Sequence, residues 1–171
     1  MAAPAPSSPL LIFVPLDADL FRAVLGRFAS GITVITVRDA AGRDHGMTVS
    51  AFSSLSLDPP LVLVCVGHDA SMAPALREAT HVGVNILAHE QEALSRRFAG
   101  KYDDRFDGIG YTHAASGVAV LDDVLAWIDG RIVSRVRAGD HDIVVLEVEG
   151  ADVRDGRPLL YYRGGYAQLE R

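Results

Sequence analysis

"HGMTVSAFSSLSLDPP", residues 45–60, decides how this chain is read. It lies among apolar segments and has the look of a strand, yet Thr48, Ser50, Ser53, Ser54 and Ser56 all carry hydroxyls. Taken as one strand, it ends at Pro59-Pro60, because proline cannot donate to a ladder. Side chains alternate along a strand, so Met47, Val49, Ala51, Ser53, Leu55 and Leu57 fall on one face. Thr48, Ser50, Phe52, Ser54 and Ser56 fall on the other. That polar face reads as a surface meeting water, or as a ligand wall whose small side chains let a flat or anionic molecule reach the main chain. Phe52 leans it toward a ligand; composition alone leaves both readings open.

Working outward, "ITVITVR" (32–38) is a β-branched strand and "LVLVCV" (61–66) reads as a fully buried one. "HVGVNIL" (81–87), "VAVL" (118–121), "VLAWIDGRIVSRVRAG" (124–139), "HDIVVLEVEGADVR" (141–154) and "PLLYYRGGYAQL" (158–169) are further β segments separated by turn signals. Three segments have helical character. Residues 17–31 place Leu20, Phe21, Val24, Leu25 and Phe28 on one face, with Asp17 or Asp19 near the start and Gly31 after the end. "SMAPALREAT" has Ser71 as its N-cap and Pro74 in its first turn, and "EQEALSRRFAG" stops at Gly100. Residues 101–117 read as a long loop. Strands and helices cluster instead of alternating, which favours a mainly β fold, an antiparallel barrel or sandwich with attached helices, over a doubly wound parallel sheet. No dinucleotide-binding G-x-G-x-x-G and no phosphate-binding Walker loop is present.

The 171 residues suit one domain, read as a flexible arm over 1–16 and a folded unit over 17–171. The apolar run near the start lacks a basic region and is broken by prolines, so no signal peptide and no membrane association is expected. A net charge of −6 excludes general nucleic-acid binding, which needs a basic face, but leaves room for a local anion site of backbone N–H groups and hydroxyls. The single cysteine, Cys65, reads as a buried packing thiol, compatible with a cytoplasmic location. The six histidines show no H-x-x-x-H pair and there is no C-x-x-C, so no metal site is expected. No G-x-S-x-G elbow points to hydrolysis.

Two more stretches could carry function. Gly139-Asp140-His141 precedes an apolar strand, and is either an ordinary turn with an edge histidine or a rim imidazole able to donate to a reacting ligand. "YYRGGYAQL" sets paired glycines between aromatics, which suits a sharp bend or a close backbone approach, for packing or for binding.

In order along residues 18–169, these segments resemble one family, the short-chain flavin reductases that serve two-component flavin-dependent monooxygenases. The likeness rests on "FRAVLGRFASGITVITV", "HGMTVSAFSSLSLDPPLVLVCV", "VGVNIL", "LSRRFAG", "AGDHDIVVLEV" and "PLLYYRGGYAQL" taken as an ordered set. The resemblance implies a Greek-key split β-barrel, a homodimer, and flavin (FMN or FAD) in a groove near the dimer interface. It also implies reduction by NADH or NADPH and release of reduced flavin, which diffuses to a partner monooxygenase. Carried over by position, Thr48, Val49, Ser50 and Ala51 would meet the isoalloxazine edge, largely through the main chain. Ser53 and Ser54 would lie toward the ribityl and phosphate end, and Cys65, Val66 and Ser71 would border the phosphate. Asn85, Ile86 and Leu87 would flank the ring, while Arg97, Phe98 and Ala99 would help close the pocket. His141, with Gly139 and Asp140, would sit near the nicotinamide, and Tyr166 near the same mouth. Rival readings are a flavin-binding protein with a non-reductase role, as carrier or in another biosynthetic step, and a barrel for a different small apolar ligand.

Overall fold

The structure, a computed structural model, describes residues 16–102 and 104–169. Of the expected arm, all but Leu16 lies outside the described residues. Helix α1 (Ala18–Leu25) starts as expected, with Asp17 accepting a bond from the Leu20 amide at 3.0 Å. It stops at Gly26 and not at Gly31, because Ser30–Gly31 is already extended as strand β1.

The decisive stretch is not one strand. It divides into β3 (Asp44–Val49) and β4 (Phe52–Leu57), with Ser50 and Ala51 outside both. β3 pairs with β2 (Thr33–Arg38), whereas β4 forms a hairpin with β5 (Pro60–Gly67). The two-residue break also resets the alternation. Val49 points into the core, and so does Phe52, which packs against it instead of standing on a polar face. The continuous two-face pattern expected across 45–57 is therefore corrected at Ser50-Ala51.

The chain continues through α2 (Ala73–Glu78), β6 (His81–Ile86), a 3-10 turn (His89–Gln91), α3 (Glu92–Ala99), β7 (Tyr111–His113) and β8 (Ala119–Leu121). Long strands β9 (Ala126–Ala138) and β10 (His141–Val153) follow, then the small hairpin of β11 (Leu160–Tyr162) and β12 (Gly165–Ala167). The expected loop over 101–117 thus contains a short strand, β7, drawn into pairing by β8. Ser71 does not cap α2: Met72 holds the N-cap position and the Ser71 hydroxyl is engaged elsewhere.

Seven strands form one antiparallel sheet in the order β3-β2-β6-β9-β10-β5-β4. The order departs from chain order, as Greek-key wiring requires. β3 and β4 follow each other in the chain yet occupy the two edges. Inward side chains from both ends of that order, Val49 of β3 and Val62, Val64 and Val66 of β5, meet in a single cluster with Ile35, Val84 and Val144. The sheet therefore curls until its ends share a core, with each fully buried valine contributing about 2 kcal/mol. The Cys65 amide donates to the Ala51 carbonyl at 2.9 Å and pins the link between edges onto β5.

β5 itself alternates, burying Val62, Val64 and Val66 while Leu61, Leu63 and Cys65 stay half-buried. The expectation of a fully buried strand and a buried Cys65 thiol is corrected accordingly. A second core lies against the other face of β2, where α3 inserts Phe98 beside Val34, Leu87 and Leu159. Phe98 reaches in because Gly46 of β3 is bare: a Cβ there would stand 2.5 Å from the Phe98 ring.

Candidate functional site

The sequence-derived positions divide among three neighbouring corners. The first forms where β3, α3 and β12 meet. Thr48 on β3 donates its hydroxyl proton to the Ser95 carbonyl at 2.7 Å. The fully buried Ser95 hydroxyl shares a 2.9 Å bond with the Tyr166 hydroxyl. The Arg96 guanidinium stacks over the Tyr166 ring at 4.7 Å and pairs with Glu92 one turn earlier, which holds its pKa above the usual arginine value. Tyr166 also meets Tyr161 edge-to-face at 5.6 Å.

The second corner is organised by arginines. Arg105 donates to the Gly46 carbonyl at 2.8 Å, twice to the Gly100 carbonyl, and to the Ser71 hydroxyl at 3.0 Å. Arg97 donates to the carbonyls of Asp104, Arg105 and Asp107, each at 2.7 Å. Below them, Phe106 packs edge-on against Phe98 at 5.1 Å. One guanidinium thus ties β3, the end of α3 and the start of α2 together around Ser71. Arg105 escaped the sequence reading because it sits in a stretch without periodicity; the available signal was its repeat of the arginine-phenylalanine pair at 97–98.

The third corner is the turn between β9 and β10. Gly139 adopts φ +65, a left-handed conformation suited to glycine, and with Asp140 closes a two-residue turn between paired Ala138 and His141. His141 pairs with Gly67, and the missing Cβ of Gly67 leaves room for the imidazole, whose Nε2 lies 3.5 Å from that empty position. Nδ1 bonds the Asp140 carboxylate at 2.7 Å, and this bond is the main cause holding the Asp140 carboxyl below its usual pKa. Behind the turn, His68 bonds Asp142 at 3.0 Å.

Between the corners lies the exposed link. The Ser50 and Ala51 carbonyls accept from Phe52 and Cys65, while their N–H groups meet no backbone acceptor among the described residues. Cys65 and Gly67 share one face of β5 with their partners Ile143 and His141 on β10. Two strand spacings, roughly 10 Å, separate the link from β10. Here an open main-chain edge, a half-buried thiol and an exposed imidazole can face one flat molecule. That arrangement fits a planar heterocycle with acceptor atoms along an edge.

Other expected positions are committed to the fold. Val49, Val66, Leu87 and Phe98 have their side chains in the two cores. Asn85 is fully buried: its amide donates to the Val34 and Ala119 carbonyls and accepts from the Leu121 amide at 2.8 Å. Ligand contact through these five side chains is closed, and their effect on a site is to position their neighbours. Ile86 is half-buried, and Ala99, Ser53 and Ser54 are exposed, with the Ser53 hydroxyl on the Ser54 carbonyl. Tyr166, expected near the same mouth as the nicotinamide, has its hydroxyl in the Thr48 corner, carried there by β12 of the three-stranded sheet with β1 and β11.

Known proteins share this pattern. Residues 25–170 match the model of a family described as flavin reductase like domain. An NADH-dependent flavin reductase from a Rhodococcus species is 41% identical over 151 residues, covering 87% of this chain and 85% of the relative. The reductase component of a 4-nitrophenol 4-monooxygenase/4-nitrocatechol 2-monooxygenase from Rhodococcus opacus is 39% identical over 158 residues, 92% and 84% of the two chains. Among solved structures, the NADH:FAD oxidoreductase of Streptomyces globisporus C-1027, in complex with NAD and FAD fragments, superposes with a TM-score of 0.87 at 32% identity. That match covers 94% of this chain and 98% of the other. The mainly β fold with attached helices is thus the fold of flavin reductases, and the split barrel agrees with it. This chain belongs to the flavin reductase like family.

Proposed function

We propose that the chain is an NADH-dependent flavin reductase supplying reduced flavin to a partner monooxygenase. The observation that carries this reading is the exposed Ser50-Ala51 main chain beside Cys65 and the His141 turn, in a chain of this family. Hydride transfer from nicotinamide to flavin is chemistry the two cofactors supply when bound. The protein's task is to stack two rings and offer donors where negative charge grows. The Ser50 and Ala51 N–H groups suit that second role, and small side chains at Thr48, Ser53 and Ser54 keep the approach open. Ser71, fixed by Arg105, borders the flavin phosphate, and Arg97 with Ala99 closes that end. His141 donates to the nicotinamide side, with Gly139 and Asp140 setting its position.

The same reading includes a homodimer. Leu20, Val24 and Leu25 of α1 are each more than half exposed, and Phe28 is 81% exposed; a contiguous apolar surface of this kind is seldom left uncovered. Among the described residues no helix is long and apolar enough to cross a membrane, and the proposed setting is cytoplasmic.

The test is steady-state NADH and NADPH oxidation by purified protein with FMN or FAD, without any aromatic substrate. Flavin-stimulated NADH oxidation is expected. Tight flavin binding without turnover would select the carrier reading instead.

A further inference from the structure

Away from the three corners, a cleft of about 360 Å³ opens between the end of α1 and the turn joining β11 to β12. It is lined by Arg22, Ala23, Gly26, Arg27, Arg163 and Gly164. Three of the six residues that line this cleft are arginines, on a chain whose net charge is −6. Arg22 is paired with Asp19 at 2.8 Å; Arg27 and Arg163 have no carboxylate partner among the described residues.

The turn itself is unusual. Arg163 adopts φ +53 and Gly164 φ +80, so both central residues of a two-residue hairpin are left-handed. Such a turn prefers Asn-Gly or Gly-Gly, and a long side chain in that conformation is strained. The Arg163 amide is held by the Gly26 carbonyl at 2.9 Å, and the turn packs closely on Gly26, where a Cβ would stand 3.2 Å from the Arg22 carbonyl and 3.5 Å from the Arg163 Cα. The backbone is thus fixed so that a residue poorly suited to the turn delivers a cation to the cleft. Strain kept against local preference points to use of the side chain. The same hairpin carries Tyr166 into the Thr48 corner, three residues on, about 10 Å along the chain.

We propose that Arg27 and Arg163, flanked by Arg22, form a subsite for the phosphate groups of a nucleotide, remote from the reacting rings. Guanidinium pairs are suited to phosphate oxygens through parallel N–H donors. With the flavin phosphate placed beside Ser71, the phosphates that remain for this cleft are those of the nicotinamide dinucleotide. This inference rests on the reductase reading.

The experiment compares wild type with Arg27→Gln, Arg163→Gln, the double variant and Arg163→Gly, measuring KM and kcat for NADH, NADPH, FMN, FAD and riboflavin. A parallel arm measures the thermal shift produced by inorganic pyrophosphate, which needs no turnover. Loss of a charged hydrogen bond predicts about a tenfold or larger rise in KM for the nucleotide whose phosphate occupies the cleft. kcat and riboflavin KM should change less than twofold. A rise for NADH and NADPH supports the subsite, and a rise confined to FMN or FAD overturns its assignment to the nicotinamide dinucleotide. Pyrophosphate should stabilise wild type and not the double variant. Arg163→Gly relieves the left-handed strain, so its Tm should rise while its KM worsens, which separates loss of binding from loss of fold. The proposal is overturned if the double variant keeps all KM values within twofold of wild type, or if pyrophosphate stabilises both proteins equally. Wild-type turnover with these substrates, measured in the same series, reports separately on the reductase reading.

Discussion

At the Thr48 corner every hydroxyl already has a protein partner: Thr48 on Ser95, Ser95 on Tyr166, and Arg96 laid over the ring. At the His141 corner the imidazole is about half exposed and its carboxylate partner, Asp140, is 94% exposed. The first corner is a joint that aligns β3, α3 and β12 so that the link after Val49 emerges in a fixed place. The His141 corner keeps its groups free to meet an arriving molecule. Stability should therefore concentrate at the joint, and substrate selectivity at the turn.

The severest challenge to that contrast comes from the arginine corner beside the joint: Arg105→Ala removes the donors to Gly46 of β3, Gly100 after α3, and Ser71 together. We expect a loss of about 3 kcal/mol in denaturant unfolding, with weaker flavin binding by fluorescence titration. A loss below about 1 kcal/mol would show that the seating of α3 on β3 does not depend on this guanidinium. Gly46→Ala comes next, because its methyl group would collide with the Phe98 ring and tilt α3, costing about 2 kcal/mol. Tyr166→Phe keeps the ring and leaves the buried Ser95 hydroxyl without its partner, so unfolding should shift by about 1 kcal/mol.

His141→Ala reverses the pattern. Its stability should stay within about 0.5 kcal/mol of wild type, while KM for NADH rises more than the flavin Kd. Equal loss of both would remove His141 from the nicotinamide side. The smallest effect concerns pH. The Asp140 carboxyl is depressed mainly by its bond to His141, so the stabilisation it gives is present above the ordinary aspartate pKa and fades as pH falls through the folded value. In His141→Ala, NMR titration should find the Asp140 carboxyl closer to the ordinary aspartate value.

Much of the architecture was legible because β-branched runs, helix-dipole charge order and turn glycines all act locally. α3 follows from Glu92 early, Arg96 and Arg97 late and Gly100 as stop, and the Gly139 turn from its left-handed preference. The break at Ser50-Ala51 was not legible, since neither residue is a glycine, proline or asparagine that would mark it. Its cause is non-local: the chain must leave one sheet edge and reach the other. Cys65 was misjudged because an unbroken apolar run does not reveal which of its faces is covered. Asn85 was placed beside the ring by the resemblance alone; in the fold, strands β2 and β8 satisfy its amide. The side chains of Val49, Val66, Asn85, Leu87 and Phe98 are taken up by the fold, so any part these positions play in a site falls to their main chain and neighbours.

The most direct test of the central claim is anaerobic reduction of a large molar excess of flavin by NADH, with no oxygenase present. A reductase that releases its product should bleach the whole flavin absorbance at catalytic protein concentration. Reduction that stops at one flavin per chain, or does not occur, would contradict it.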